Sequence, residues 1–265
     1  MWSFFHVIMD NDLEMIEMPS FVIHSICCRE LEKKMTISKK EKDMFFLGNL
    51  IPDTKQSDHK NATHESISKE KIVTHFKTNP KPILQYPDLD LFLSKYGELV
   101  KTNSLVFGYF FHLYADYYYF KYYLPDKLSF LDSNYKETDS RDYSFVKSKK
   151  NGKIFTIDDF WDRKKNIGIY YEYSRMNKYL ISKYNFTYDV NCYLPYVESK
   201  LEVPITEVVT DRLRDLLLDV DYFYKERIVD TEFQIFDTDS VDTLITEILD
   251  TFMERYSDIY YNYCR

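Results

Sequence analysis

The chain contains little cysteine. Its four cysteines, Cys27, Cys28, Cys192 and Cys264, are few for 265 residues, and two of them are adjacent. This is not the pattern of a disulfide framework in a small secreted domain. A reducing compartment fits the cysteine content best, so we expect a cytoplasmic protein.

Positive charge is not in excess either. The chain has 35 Lys and Arg against 43 Asp and Glu, which gives a formal net charge of −8. No general positive field attracts phosphates of a nucleic acid, although a local basic groove is still allowed. We therefore do not expect nucleic acid as a partner.

The sequence indicates neither a secretory signal nor a membrane span. The first residues lack a basic start and a small-residue cleavage site, and they run directly into Asp12, Glu14 and Glu17. The apolar stretch from Leu105 to Leu124 approaches membrane-spanning length, but it contains charged residues and many tyrosines whose hydroxyls need partners. We predict a buried core helix there.

The length of the chain allows one large domain or two small ones. The informative pattern begins at Met18, so we predict an N-terminal extension over residues 1–17 and a single helical domain over residues 18–265. Translation that starts at Met18 is the alternative.

Hydrophobic periodicity and capping residues predict an all-α fold with short extended pieces at most. Because Pro52 biases Ile51 toward an extended backbone, Asp53 should open a polar loop that reaches about Ile72. A short strand is expected near Lys153–Thr156. The predicted helices are Pro19–Lys34, Lys39–Phe46 with its end at Gly48, Asp88–Leu99, Ser104–Leu124 capped by Asn103 or Ser104, Ile157–Tyr184 with a break near Gly168, Pro204–Glu226, and one from a cap at Asp239 or Ser240 to Tyr260.

One pair on the core helix carries most of the chemistry. His112 and Asp116 lie four residues apart, so they share one face of a helix that is apolar nearly all round. A buried aspartate is costly unless a cation or hydrogen bonds compensate it. Zinc accepts both residue types. Without a metal, the two residues would bond to each other, or Asp116 would pair with a lysine or arginine.

Three further polar residues stand in apolar surroundings. They are His24 on the first helix, Asp53 after Ile51-Pro52, and His75 between Thr74 and Phe76. Each is weak evidence alone, but with His112 and Asp116 they supply three imidazoles and two carboxylates. His59 and His64, in the polar loop, could complete an under-coordinated second metal, but most loop histidines are solvated, so we expect them at most in the second sphere or beside the substrate. The adjacent cysteines Cys27 and Cys28 are expected as small core residues.

The order and local contexts of these five residues resemble the zinc-dependent phospholipase C family, which is related to the P1-type nucleases and includes a bacterial zinc hydrolase branch. The resemblance covers residues 18 to about 124 best, and a weaker likeness runs through Tyr171–Tyr184. It implies a multi-helical bundle around a buried cluster of up to three zinc ions. By this resemblance Asp53, His75 and His112 hold one metal, Asp116 bridges, and His24 binds a second.

The chain also departs from that family. The secreted phospholipases carry another histidine and a His-x3-Glu pair after the His-x3-Asp helix, whereas this chain has no histidine after His112. The third metal position is therefore missing or rebuilt from carboxylates, and we expect one or two zinc ions. The family also uses an N-terminal tryptophan amino group, a role that we do not transfer to Trp2.

These observations predict a zinc-dependent phosphoester hydrolase, phospholipase C-like, that uses a metal-bound hydroxide. Asp53 or Asp116 is expected to orient that nucleophile, and a small-molecule or lipid-headgroup phosphoester is the expected substrate. The alternative is a non-catalytic helical scaffold or binding protein with a structural or vestigial zinc site. An HD-type phosphohydrolase ranks last because the chain lacks the adjacent His-Asp pair that such a site requires.

Overall fold

The fold is largely helical. A computed structural model describes residues 20–54, 71–79, 82–162, 165–208, 210–225 and 232–264. Helix accounts for 61% of the structure and strand for 6%, which confirms the helical class. The predicted extension over residues 1–17 and the loop histidines His59 and His64 lie outside the described residues.

Seven longer helices and one small sheet form the frame of the described part. The helices are α1 (Phe21–Glu32), α2 (Lys39–Leu50), α3 (Leu89–Thr102), α4 (Ser104–Tyr118), α5 (Gly168–Lys183), α6 (Leu213–Lys225) and α7 (Thr238–Arg255). The strands β1 (Leu128–Leu131), β2 (Phe145–Ser148) and β3 (Ile154–Thr156) pair antiparallel in the order β1-β2-β3, with Leu128 opposite Ser148 and Phe145 opposite Thr156. Short helical turns join them at Ile51–Asp53, Tyr119–Tyr123, Leu124–Lys127, Ile157–Phe160, Val190–Cys192, Leu194–Glu198, Ser257–Tyr260 and Tyr261–Tyr263.

Several predicted boundaries agree with these elements. Asn103 caps α4, because its Oδ1 accepts from the Leu105 amide at 3.0 Å and the Val106 amide at 3.2 Å. The predicted break near Gly168 separates a short turn from α5, and the predicted short strand is β3. The other two strands were not predicted.

Two boundaries in the first half were predicted wrongly. Helix α2 continues through Gly48 to Leu50, because Gly48 lies against α4 and is not a terminating glycine. Ile51 is helical, with φ −57° and ψ −37°, although Pro52 predicted an extended backbone there. Asp53 consequently ends a helical turn that continues from α2.

Two boundaries in the second half also differ. Helix α6 begins only at Leu213 instead of at Pro204. Before it, the Tyr96 hydroxyl on α3 accepts from the Thr206 amide at 3.1 Å. The cap of α7 is Asp237 instead of Asp239 or Ser240, since its Oδ1 accepts from the Ser240 amide at 2.7 Å. A side-chain hydrogen bond thus caps α7 earlier than predicted.

Helices α2 and α4 pack with their backbones in direct contact. A Cβ atom added at Gly48 would lie 1.9 Å from the Leu105 carbonyl oxygen, and one added at Gly108 would lie 2.0 Å from the Phe45 carbonyl oxygen. Neither position can therefore carry a side chain without separating the helices. This close approach brings the end of α2 onto the face of α4 that carries the histidine.

Aromatic side chains pack around α4 on its other faces. Residues 104–117 of this helix are all buried. The ring of Phe252 on α7 lies 4.8 Å from that of Phe111 and 5.0 Å from that of Tyr114, and the Tyr263 ring stacks on Phe107 at 4.3 Å. The buried core helix is thus confirmed. Within the described residues, no helix combines the length and the apolar character that crossing a membrane requires.

The second half of the chain is tied to this core through α5. The buried Glu172 carboxylate accepts from the backbone amides of Gln234 at 2.9 Å, Ile235 at 2.8 Å and Phe236 at 3.3 Å. Asn177, one turn and a half further along α5, accepts from the Ser20 hydroxyl at the start of α1. The segment with the weaker family likeness therefore supports α1 from outside.

The contact of α2 with α4 can be tested by a matched pair of glycine substitutions. Gly108→Ala should lower the free energy of unfolding by about 3 kcal/mol or more, because a methyl group would overlap backbone atoms. Gly97→Ala on α3 should raise it by roughly 0.5–1 kcal/mol, since an added Cβ there meets no atom within 4 Å. Urea unfolding of both variants checks the pair, and equal effects would contradict the backbone contact.

Candidate metal centre

All five residues predicted as ligands meet in one place. His24 comes from α1, Asp53 from the turn after α2, His75 from the end of the helical residues 71–74, and His112 and Asp116 from α4. His24, His75, His112 and Asp116 are each at most 1% exposed, while the Asp53 side chain is 12% exposed. Three imidazoles and two carboxylates therefore share one buried cluster with a single partly open side at Asp53.

His75 lies at the middle of the cluster. Its Nε2 atom is 3.2 Å from Nε2 of His112, 3.5 Å from Oδ2 of Asp116 and 3.5 Å from Oδ1 of Asp53. His24 completes the cluster from the other side, with its Nε2 3.1 Å from Oδ1 of Asp116 and its ring stacked on that of His112 at 3.7 Å.

These separations match a tetrahedral ion. Zinc binds nitrogen and oxygen at about 2.0–2.2 Å, and two donors at tetrahedral angles are then about 3.3–3.6 Å apart. Two sets of three residues offer donor atoms that all lie within 4.8 Å of one another: His75 with His112 and Asp116, and His24 with Asp53 and His112. The cluster thus contains donor sets of the type and spacing that a metal ion requires.

The protonation state of His112 is fixed by its outer partner. Its Nδ1 lies 2.7 Å from the backbone carbonyl of Asn49, which can only accept a hydrogen bond. Nδ1 therefore carries the proton, and the lone pair on Nε2 points into the cluster. This is the arrangement in which second-sphere contacts orient a histidine ligand.

His75 has a comparable outer partner. Its Nδ1 lies 2.9 Å from the Thr74 hydroxyl, which can accept from it or donate to it. If Nδ1 donates, the Nε2 lone pairs of His75 and His112 face each other across 3.2 Å, which requires a cation between them. If the hydroxyl donates instead, Nε2–H of His75 can hydrogen-bond to His112 without a metal.

Burial keeps these two imidazoles neutral. It lowers the pKa of His75 well below the usual histidine range, and Lys71, His112 and Lys77 lower it further. Burial also lowers the pKa of His112, with a further contribution from His24. Neutral imidazole is the form that binds metals, so proton competition at both residues is weak.

Asp116 has no hydrogen-bond partner of its own among the described residues. Both of its buried carboxylate oxygens lack one, and within that part of the chain no lysine or arginine nitrogen lies within 4.0 Å of them. His24 Nε2 lies 3.1 Å from Oδ1, but the geometry is not that of a hydrogen bond, and Nε2 also has no hydrogen-bond partner among the described residues. Among the described residues, Asp116 thus neither bonds to His112 nor pairs with a lysine or arginine. A buried carboxylate in this state calls for a cation.

Sequence reasoning missed the residues that surround the ligands. The carbonyl of Asn49 has no sequence signal, because any residue supplies the same group. Thr74 was noted only as the neighbour of His75, and no role was predicted for it. Lys71 was not predicted to be near the site either, although its Nζ lies 3.0 Å from Asp53 Oδ1.

Cys27 and Cys28 are fully buried and form no disulfide, as expected of core residues.

Comparison with known proteins adds no family to this picture, since no family model, no curated protein and no solved structure matches the chain. The resemblance to zinc-dependent phospholipases stays a prediction that depends on five residues and their contexts.

The structural role of the adjacent cysteines predicts their reactivity. Burial raises the pKa of Cys27 and of Cys28 well above the usual thiol range, so neither forms the reactive thiolate near neutral pH. A thiol reagent should label the exposed Cys192 first and leave the buried pair unlabelled until urea is added. Peptide mass spectrometry measures the labelling of each cysteine, and Cys192→Ser serves as the control. Labelling of Cys27 or Cys28 at the rate of Cys192 would contradict their burial.

Proposed function

We propose that this chain is a zinc-dependent phosphoester hydrolase, built as a phospholipase C-like helical bundle around its metal cluster. The observation that carries the proposal is the placement of the His75 and His112 Nε2 atoms 3.2 Å apart beside two carboxylates. Two neutral imidazoles and a buried unpartnered aspartate are stabilised together by one divalent cation. The separate origins of the five ligands in the chain make this convergence hard to explain by core packing alone.

Zinc suits this donor set better than the hard cations. Calcium and magnesium take oxygen ligands, whereas imidazole nitrogens favour zinc and its transition-metal neighbours. The donor separations of 3.2–3.5 Å around His75 also match tetrahedral coordination. We therefore assign zinc to the proposed site.

The two oxygens of Asp116 support a site for two ions. Oδ1 faces His24 and Oδ2 faces His75, so the carboxylate lies between two histidines on opposite sides. A bridging carboxylate of this kind would join an ion at His75, His112 and Asp53 to a second ion at His24. A third ion of the phospholipase type would lack the later histidines that the family uses, because no histidine follows His112.

The two carboxylates then differ in role. When bound, zinc activates water as a nucleophile near neutral pH and polarises a phosphoryl oxygen. Asp116 is enclosed by His24 and His75 and is suited to ligation. Asp53 is the partly exposed member, so it is the carboxylate that can both contact a ligand from solvent and accept a proton. A small-molecule or lipid-headgroup phosphoester is the proposed substrate class.

A structural zinc site is the second candidate. Four of the five donors are at most 1% exposed, and Asp53, His75, His112 and Asp116 could close one tetrahedron without a water position. The protein would then be a helical scaffold with zinc content and no turnover. Activity separates the two candidates, because both predict bound metal.

Metal content tests the site itself. Protein purified without chelator should contain one or two zinc ions per chain, and His112→Ala or Asp116→Asn should lose at least one, because each removes a donor from the cluster. Asp126→Asn, exposed just beyond the same helix, is the matched control and should keep the full content. Elemental analysis measures all four proteins.

Hydrolysis of a chromogenic phosphoester by the same samples tests the activity. Wild type should turn over and the two ligand variants should not. Zinc without turnover on any phosphoester supports the scaffold, whereas undiminished turnover after complete metal removal would refute zinc catalysis.

The outer partner of His75 gives an independent test. Thr74→Val keeps the shape but removes the hydroxyl beside Nδ1, so zinc affinity should fall by about 10- to 100-fold, as expected for a lost second-sphere contact. Thr243→Val, at an exposed position of α7, should leave the affinity unchanged. Competition with a chromogenic chelator measures both, and equal affinities would mean that Thr74 does not orient the ligand.

A further inference from the structure

Two lysines flank His75 on the same short segment. Lys71 precedes it by four residues and Lys77 follows it by two. The Lys71 Nζ atom lies 3.0 Å from Asp53 Oδ1, on the partly open side of the cluster. The Lys77 Nζ atom lies 4.9 Å from the centre of the Phe120 ring, one turn beyond Asp116 on the same helical run.

The backbone of this segment is held in an unusual conformation. Phe76 has φ +52°, in the left-handed region that few residues with a side chain adopt, and the Lys77 amide donates to the Ile72 carbonyl at 2.9 Å. The buried Phe76 ring packs edge-on against Phe92 at 5.0 Å. The chain therefore reverses right after His75, which places the lysines on both sides of it.

We propose that Lys71 and Lys77 bind the phosphoryl group of the substrate, and that the substrate is a phosphate monoester. This inference rests on the proposed zinc hydrolase function and names its substrate class. One zinc ion already cancels the formal charges of Asp53 and Asp116, so with one or two ions the ammonium groups leave a surplus of positive charge beside the reacting centre. A phosphate monoester carries about −1.5 to −2 charges near pH 7, so this surplus attracts it more strongly than a diester, which carries only one.

Lys71 is only 17% exposed and pairs with Asp53, which places its charge at the cluster instead of in bulk water. Such partly buried charges are screened less than surface ones.

The test uses zinc-loaded full-length protein with inorganic phosphate as the probe. Lys71→Met and Lys77→Met should each weaken phosphate binding by about tenfold or more, because each removes a charge-assisted contact, while the zinc content stays unchanged. Lys71→Arg should retain most of the affinity. Lys101→Met, whose lysine pairs with Glu98 on α3, should bind phosphate as wild type does. Isothermal titration calorimetry measures the affinities.

Turnover of two esters completes the test. Wild type should have a higher kcat/KM for p-nitrophenyl phosphate than for bis(p-nitrophenyl) phosphate, and the ratio should fall about tenfold in Lys71→Met and Lys77→Met. A preference for the diester, or wild-type phosphate affinity in both methionine variants, overturns this inference and leaves the hydrolase standing. A wild type that holds no zinc or hydrolyses neither ester overturns the proposed function and the inference with it.

Discussion

The site depends on the backbone contact between α2 and α4. Gly48 and Gly108 let the two helices approach until carbonyl oxygens occupy the space where side chains would stand. At this distance the Asn49 carbonyl reaches Nδ1 of His112, which fixes the tautomer and the direction of the ring. The same approach carries the turn after α2 toward α4, so that Asp53 faces His75.

Burial gives the cluster its chemistry. Three imidazoles and Asp116 are almost fully removed from water. Burial holds His75 and His112 neutral, and the Asp116 carboxylate has no hydrogen-bond partner among the described residues. In such surroundings a divalent cation is worth far more than at the surface, because little solvent competes with it. Asp53 and Lys71, whose side chains are 12% and 17% exposed, are less buried than these four residues.

The second half of the chain encloses and supports this centre. Helix α7 covers the aromatic faces of α4 that point away from the ligands, and α5 contacts the start of α1, which carries His24. The buried Glu172 joins α5 to the segment that leads into α7. The later part of the chain thus packs against the helices that carry the cluster, although none of the five clustered donors comes from it.

The amino-acid sequence by itself determined the helical class, the buried core helix and the five residues of the cluster. Apolar periodicity is a local property, and polar residues in apolar surroundings stand out wherever they occur. Helix ends were predicted less well: Gly48 read as a terminator from its own preferences, but a neighbouring helix made it an interior residue. The start of α6 at Leu213 instead of Pro204 was likewise not predicted.

Only the tertiary structure decided how the five residues meet and what orients them. Their separations of 3.1–3.5 Å arise from the packing of α1, α2 and α4 and the left-handed turn at Phe76, which no local pattern encodes. A backbone carbonyl such as that of Asn49 is the same chemical group at every position, so its contact with His112 could not be read from residue types. The sequence specifies which chemical groups are present, whereas the distances and orientations between them are set only when the chain folds.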